Sequence, residues 1–254
     1  MKRVSSDRDF FLPFRQHAPS LVNARSEIYA DIDRLASPTG FFNILTFRGV
    51  FFGSPFAQSD RFKWFDQYDD WKRFMIDENK EEEFYVKRNC YGRTQKDRST
   101  ALIEGYWNQR NLWNSAFNPT TKPTAREVYY WLMSTDNGKK QIRNIGSLSA
   151  LLICGDLIEA GLILMPSARD FGDLIFKVGK GAKDGMIAMG LVKDGASREE
   201  LCQSFESLDL TLQQELTEEE KKTMGYNVVM LEHTLCKIKR LTKGTTLRLI
   251  LSEI

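Results

Sequence analysis

Residues 142–165 read IRNIGSLSALLICGDLIEAGLILM, are followed by Pro166, and form the most apolar segment of the chain. Within them Ile145, Leu148 and Leu152 are three or four positions apart, which is the spacing of one helical face. Further apolar residues fill much of the remaining surface, so a helix here is apolar nearly all round, as buried helices and membrane spans are. Because proline cannot continue a helix, we expect this one to end at or just before Pro166.

Two features of the same stretch argue against a membrane span. Asp156 and Glu159 lie within it, and charges at bilayer depth are expensive. The apolar run at residues 148–154 is also far shorter than the roughly 20 residues that cross a bilayer. The stretch therefore predicts a buried core helix.

Composition places the chain among ordinary globular proteins. It has 254 residues, of which 42% are hydrophobic and 12% aromatic, enough to build a substantial core and too apolar for general disorder. Lys and Arg number 36 against 34 acidic residues, for a net charge of +2. Net charge thus argues neither for nor against a nucleic-acid partner, and any basic surface must come from local clusters.

Cysteine usage and the first residues predict where the protein works. Cys90, Cys154, Cys202 and Cys236 are far apart and include no CxxC pair, which is typical of reduced thiols rather than a disulfide scaffold. The N-terminus lacks the apolar run of a secretory signal. We expect a soluble protein of the cytoplasm or nucleus, neither secreted nor in a membrane.

The predicted fold is mainly α with a minor β element (α+β), in two helical lobes around the buried central helix 142–165. A run rich in Asn, Pro and Thr provides the best linker in the chain. In chain order the predicted parts are an extended aromatic arm at 1–20, an N-terminal lobe with a short β element at 21–117, the linker at 118–123 and a helical C-terminal lobe at 124–254.

The minor β element is predicted at residues 41–56, which read FFNILTFRGVFFGSPF. Aromatic and β-branched residues favour strands, and Gly49, Gly53 and Pro55 interrupt them. The segment predicts one or two strands, or a hairpin that turns near Arg48 and Gly49.

Three Ser/Thr-x-x-Glu pairs have the spacing of a capping box and predict helix starts. After the last of them, apolar residues from Met224 to Leu241 recur every three or four positions, which predicts an amphipathic helix that ends at Gly244. The pairs are Thr124 with Glu127, Ser197 with Glu200, and Thr217 with Glu220.

Short matches to catalytic motifs all lack their context. Residues 170–172 read DFG, without the other kinase motifs, and the glycine-rich residues 179–185 lack the GxxxxGK[ST] order of a P-loop. His233 and Cys236 share a predicted helix face, but zinc needs further ligands and a thiol nucleophile needs an orienting group. Residues 77–80 place a carboxylate near a lysine in a charged run. We therefore predict no catalytic residue, no metal and no cofactor.

Two basic windows predict a nucleic-acid interface as an alternative. Cations mixed with tyrosines bind single strands by neutralising phosphates and stacking on bases. Cations at the end of a helix also favour its dipole, which is a structural reason for the second window. The windows comprise Lys87, Arg88, Tyr91, Arg93, Lys96 and Arg98, and then Lys237, Lys239, Arg240 and Lys243.

The N-terminal arm is the predicted partner-binding element. Its aromatic residues Phe10, Phe11 and Phe14 surround Pro13. Such an arm lies either on its own domain or on a neighbouring copy, and packing on its own domain is the favoured interpretation because surface-lying termini are common.

Residues 161–166, GLILMP, followed by residues 173–178, DLIFKV, resemble a segment of phlebovirus-type small non-structural proteins. That resemblance implies a helix-rich protein that binds host proteins to blunt antiviral responses. The Trp-Pro stretch of that family is absent here, and Asn118-Pro119 is its nearest counterpart. Residues 146–148 and the apolar run after them are similarly comparable to nucleoproteins of related segmented viruses, and no functional residue is carried over from either family.

These observations favour a non-catalytic protein-binding or self-assembling protein, for which the resemblance implies a viral accessory factor that acts on host proteins. The alternative is an RNA-binding, nucleocapsid-like protein that uses the two basic windows. An enzyme with an unrecognised site is the third hypothesis.

Overall fold

The computed structural model describes residues 8–78, 100–117 and 120–242. These residues contain 14 α-helices and one two-stranded antiparallel sheet, so the predicted class, mainly α with a minor β element, is confirmed. None of the helices described combines the length and hydropathy that a bilayer crossing demands.

The helices are numbered in chain order. Before Pro166 they are α1 (Arg8–Phe11), α2 (Pro19–Glu27), α3 (Ile32–Leu35), α4 (Pro38–Thr46), α5 (Tyr68–Glu78), α6 (Thr100–Gln109), α7 (Leu112–Ala116), α8 (Ala125–Met133) and α9 (Ser147–Glu159). After it follow α10 (Ala168–Val178), α11 (Ala182–Ala188), α12 (Arg198–Glu215), α13 (Glu218–Met224) and α14 (Val228–Thr242). A 3₁₀-helix spans Arg15–His17 and a π-helix spans Phe47–Phe51.

The chain divides into two compact units. The first unit combines the residues up to Ala18 with those from Pro166 onward, and the second unit runs from Pro19 to Met165. The predicted linker at 118–123 therefore falls inside the second unit, where residues 118 and 119 lie outside the described part of the chain.

Helix α9 is the buried core helix that the sequence predicts. Ile153, Cys154 and Leu157 are fully buried, and the helix packs against α8 and the π-helix. It is shorter than expected, because Gly161 adopts a left-handed conformation (φ 74°) soon after Glu159. Residues between that turn and Pro166 are not helical.

The predicted strands at residues 41–56 are wrong, since this segment forms α4 and the π-helix. The Ser37 hydroxyl accepts a hydrogen bond from the Gly40 N–H at 3.1 Å, and Pro38 occupies the first turn, so the local start signal is helical. Phe41, Phe42 and Phe47 are all buried. The aromatic residues of this segment therefore belong to a helix that is buried on all sides, not to the half-buried face of a strand.

The sheet lies elsewhere. Strand β1 (Thr135–Asp136) pairs antiparallel with β2 (Lys139–Lys140). Asn137 and Gly138 connect them with φ of 49° and 74°, the signs that a tight type I′ hairpin requires.

Helix starts agree closely with the sequence. All three predicted capping boxes are present, at the starts of α8, α12 and α13. The predicted helix that follows Met224 is interrupted, because Gly225 takes a left-handed conformation (φ 61°). Asn227 then caps α14, accepting from the N–H groups of Val229 and Met230 at 2.9 Å each. The predicted stop at Gly244 lies outside the described residues.

Candidate protein-binding groove

A groove in the second unit is the main candidate site. Its cavity measures about 600 Å³ and runs between the α3–α4 corner, helix α7 and the segment at residues 121–123. Most of its lining is apolar or aromatic. The residues that argue for a binding role are Ile32, Pro38, Trp113, Phe117, Pro123 and Leu162.

Two helix caps build the first wall. Asp31 caps α3 by accepting from the N–H groups of Asp33 and Arg34 at 3.0 Å each, and Ser37 starts α4 only a few residues later. A Cβ on Gly40 would collide with the Leu35 carbonyl, so the corner between the two short helices stays tight only with glycine there.

Stacked aromatic rings build the opposite wall. The Trp113 centroid lies 5.5 Å from that of Phe41, 4.7 Å from Phe117 and 5.8 Å from Trp131. Phe117 is half-buried and also lines a second cavity of about 470 Å³, which shares residues 121–123 with the groove. The two cavities therefore lie side by side along the same aromatic wall.

The chain after α9 contributes Leu162 to the lining and runs on beside Pro123, another lining residue. The Leu164 N–H donates to the Pro123 carbonyl at 2.9 Å, and a parallel bridge joins Leu164 to Thr124. The exposed fractions are 49% for Leu164, 52% for Met165 and 39% for Ile32. Exposed large apolar side chains next to an apolar groove are typical of a contact surface, and Leu164 is placed there by its bond to the lining residue Pro123.

Two opposite charges line the groove. Asp33 stands on α3 and Lys122 on the segment across from it. Neither side chain forms a hydrogen bond or ion pair with any residue that the structure describes. As far as the described residues go, both are available to a ligand that carries complementary groups.

The predicted arm lies in the first unit and is folded rather than extended. Phe10 and Phe11 belong to α1, and their rings meet edge to face with centroids 4.6 Å apart. Phe14 precedes the 3₁₀-helix and is half-buried. The arm packs against α14 of its own chain.

Of the second basic window, three cations are described and each has a protein partner. Lys237, only 4% exposed, donates to the main-chain carbonyls of Asp9 and Phe10. Arg240 donates to the Phe10 carbonyl at 3.1 Å, and Lys239 pairs with Asp184 at 3.1 Å. The fourth cation, Lys243, and the whole first window at residues 87–98 lie outside the described residues.

The His233 and Cys236 pair is structural. The His233 Nε2 lies 3.2 Å from the Leu12 carbonyl oxygen, and the Cys236 thiol donates to Glu232 at 2.9 Å. Burial, helped by the adjacent carboxyl, raises the pKa of the Cys236 thiol well above its usual value, so it stays protonated. In the described part of the chain no three His, Cys, Asp or Glu side chains come together as a metal site would require.

The other motif matches also have local structural roles. Asp170 lies in the first turn of α10, where its N–H is capped by Ser167. Gly179 ends α10 in a left-handed conformation (φ 72°), and a Cβ on Gly185 would meet the Leu235 carbonyl of α14. Of residues 77–80, those after Glu78 lie outside the described residues.

The groove itself was missed from the sequence. Trp113 and Phe117 lie in the predicted N-terminal lobe, and Leu164 lies in the predicted core helix 142–165. Their convergence depends on the parallel bridge between Thr124 and Leu164, which no local pattern encodes. No family model matches this chain, and no curated protein or solved structure matches it either.

Proposed function

We propose that this chain is a non-catalytic protein-binding protein, and that the groove of the second unit binds an apolar segment of its partner. The observation that carries the proposal is an aromatic-walled cavity of about 600 Å³ lined by the exposed Ile32 and by Pro123, to which the exposed Leu164 is hydrogen-bonded. Because these two side chains are already about half-buried, completing their burial on binding is favourable by about 1 kcal/mol each.

The chemistry of the lining supports binding rather than catalysis. Its polar groups are the carboxylate of Asp33, the ammonium of Lys122, the amide of Asn114 and two hydroxyls. This set contains no thiol or imidazole, and it offers charge and hydrogen bonds for orientation around an apolar centre. The resemblance noted above implies a host protein as the partner.

Two exposed leucines provide a matched test. Leu164, beside the groove, is 49% exposed, and Leu210, on α12 of the first unit, is 54% exposed. Tagged wild-type protein, Leu164→Asp and Leu210→Asp would each be purified from cells with their bound proteins. We expect a partner that Leu210→Asp retains and Leu164→Asp loses.

The same partner, purified, would then be titrated against the three proteins. The lost apolar contact and the cost of burying the new carboxylate together predict binding weaker by about tenfold or more for Leu164→Asp alone. Equal affinity of both variants for the partner would contradict the proposal that the partner binds in the groove.

RNA binding stays the alternative. In the second basic window, Lys237 is buried and Lys239 is paired, so an RNA interface would depend mainly on the first window. Light scattering with and without a short RNA at two salt concentrations separates the hypotheses, because phosphate contacts weaken steeply with salt. A salt-dependent increase in mass on adding RNA would favour the nucleocapsid-like alternative.

We also propose that the protein works in the cytoplasm or nucleus. Among the described residues Cys154, Cys202 and Cys236 are free thiols. Reduced cysteines of this kind are typical of those compartments. Fluorescence microscopy of the tagged chain tests the proposal.

A further inference from the structure

The N-terminal arm is held on α14 mainly through its main chain. The Lys237 Nζ donates to the carbonyls of Asp9 at 2.8 Å and Phe10 at 2.9 Å. The Thr234 hydroxyl donates to the Pro13 carbonyl at 3.0 Å. Main-chain carbonyls are common to all peptides, so this face of α14 recognises a peptide backbone.

The donors form a row along the helix. His233, Thr234, Lys237 and Arg240 fall within two turns on one side of α14. Their carbonyl partners come earlier in the arm as the helix goes on: Thr234 donates to Pro13, and Arg240 donates to Phe10. The arm therefore lies antiparallel to the helix. At its far end the His17 ring nitrogen lies 2.9 Å from the Thr223 carbonyl.

Side chains add selectivity to this row. The Arg240 guanidinium lies over the Phe10 ring, 4.3 Å from its centroid, a cation–π contact. Arg15 of the arm and Glu232 of α14 are both buried. Burial raises the pKa of Glu232, and both the hydrogen bond from the Cys236 thiol and the positive charge of Arg15 oppose that rise. The site thus favours an aromatic ring at the position of Phe10 and a cation at the position of Arg15.

The polypeptide connects the arm to α14 only through the second unit. The chain leaves the arm at Ala18 and enters the second unit at Pro19, and it returns to the first unit only at Pro166. The arm of a second copy would therefore make the same contacts without any change in them, which is the geometry of an exchanged dimer.

We propose that α14 is an exchangeable docking site, and that its ligand in trans is the arm, residues 8–17, of a second copy of this chain. The proposal is independent of the groove. The arm in cis competes at a millimolar effective concentration, so exchange needs concentrated or co-assembled chains. Emptying the site breaks the hydrogen bonds from Lys237 and Thr234 to the arm and exposes the buried face of α14, which makes opening rare and exchanged dimers long-lived.

A labelled peptide with the sequence of residues 8–17 tests the site directly on the full chain. The variant Phe10→Ala weakens the arm in cis but leaves α14 intact. We expect this variant to bind the peptide about tenfold more tightly than wild-type protein does, because the competing arm is weaker. No gain in peptide binding by Phe10→Ala would overturn the proposal.

Mass measurement tests the exchange, with two lysines of α14 as a matched pair. Lys237 contacts the arm, whereas Lys239 pairs with Asp184. Each protein would be refolded at high concentration and then diluted. We expect dimers of the wild type and of Lys239→Met, and we expect an excess of the peptide to dissociate them. Lys237→Met should remain monomeric, and Thr234→Val, which keeps the buried charges, should dimerise less.

Two outcomes of the mass experiment contradict the exchange. One is a monomeric wild type at every concentration. The other is a dimer that both Lys237→Met and Thr234→Val retain in full, since it would use another surface. Circular dichroism of each variant establishes that it is folded.

Discussion

Arg48 and Asp156 form an ion pair inside the second unit, where they are 2% and 1% exposed. The guanidinium donates to both carboxylate oxygens, and the Tyr29 hydroxyl donates to the same carboxylate at 2.8 Å. The Arg48 guanidinium carbon lies over the Phe52 ring, 4.5 Å from the ring centroid. The sequence indicated that Asp156 lay in an apolar helix, but its partner is 108 residues away and had no local signal.

Removing one member of this pair leaves the other charged and buried. We expect Arg48→Met to lower the free energy of unfolding by about 3–5 kcal/mol. The control is Arg25→Met, because Arg25 pairs with Glu159 at 3.2 Å but is 36% exposed, and such a pair contributes about 0–1 kcal/mol. Urea denaturation measures both, and equal losses would contradict the assigned role of Arg48.

Buried thiols give a second prediction at this scale. Burial raises the pKa of Cys154 and of Cys236, so neither becomes a thiolate between pH 7 and pH 9. We expect both to resist alkylation by iodoacetamide across that range and to react once the protein is unfolded. Mass spectrometry of the peptides measures each site, and rapid labelling of native Cys236 would restore it as a candidate nucleophile.

At the scale of elements, signals carried by neighbouring residues were predictable and those carried by packing were not. The capping boxes at Thr124, Ser197 and Thr217 were confirmed because both halves of each lie within four residues. The strands predicted at 41–56 were wrong because β propensity describes a half-buried surface, and α4 has no exposed face among its aromatics. The hairpin at Asn137-Gly138 was missed although that dipeptide is a turn signal.

The cap at Ser37 gives an element-scale prediction. Ser37→Ala removes the acceptor of the Gly40 N–H at the start of α4, and we expect it to lower the free energy of unfolding by about 1 kcal/mol. Ser115→Ala, which loses only an exposed bond to the Leu112 carbonyl within α7, is the control. Since Ser37 also lines the groove, partner binding should weaken with Ser37→Ala and not with Ser115→Ala.

At the scale of the whole molecule, the sequence predicts two lobes joined at residues 118–123, a polar run with two prolines. Contacts group the chain in another way, into one unit from Pro19 to Met165 and another that combines the residues on either side of it. The arm belongs to the latter because it packs on α14. Contacts between residues more than 200 positions apart leave no trace in local composition.

Because the arm and α14 belong to the same unit, we expect the backbone amides of α14 to depend on the arm for protection from hydrogen exchange. Phe10→Ala should accelerate hydrogen exchange in α14, since it removes the ring beneath Arg240, while exchange in α9 provides an internal reference. Mass spectrometry of the exchanged protein measures both helices. Unchanged protection of α14 would show that the arm does not stabilise it.

The distance along the chain between the arm and its docking helix also orders events during synthesis. Phe10 and Lys237 are 227 residues apart, so at ribosomal speeds the arm emerges on the order of 10–45 s before its partner. Throughout that interval its aromatic residues are in the open, within reach of chaperones and of other nascent chains on the same message. The exchange proposed above would therefore be decided while translation finishes, and slower translation would lengthen the time in which the arm can join a neighbouring chain.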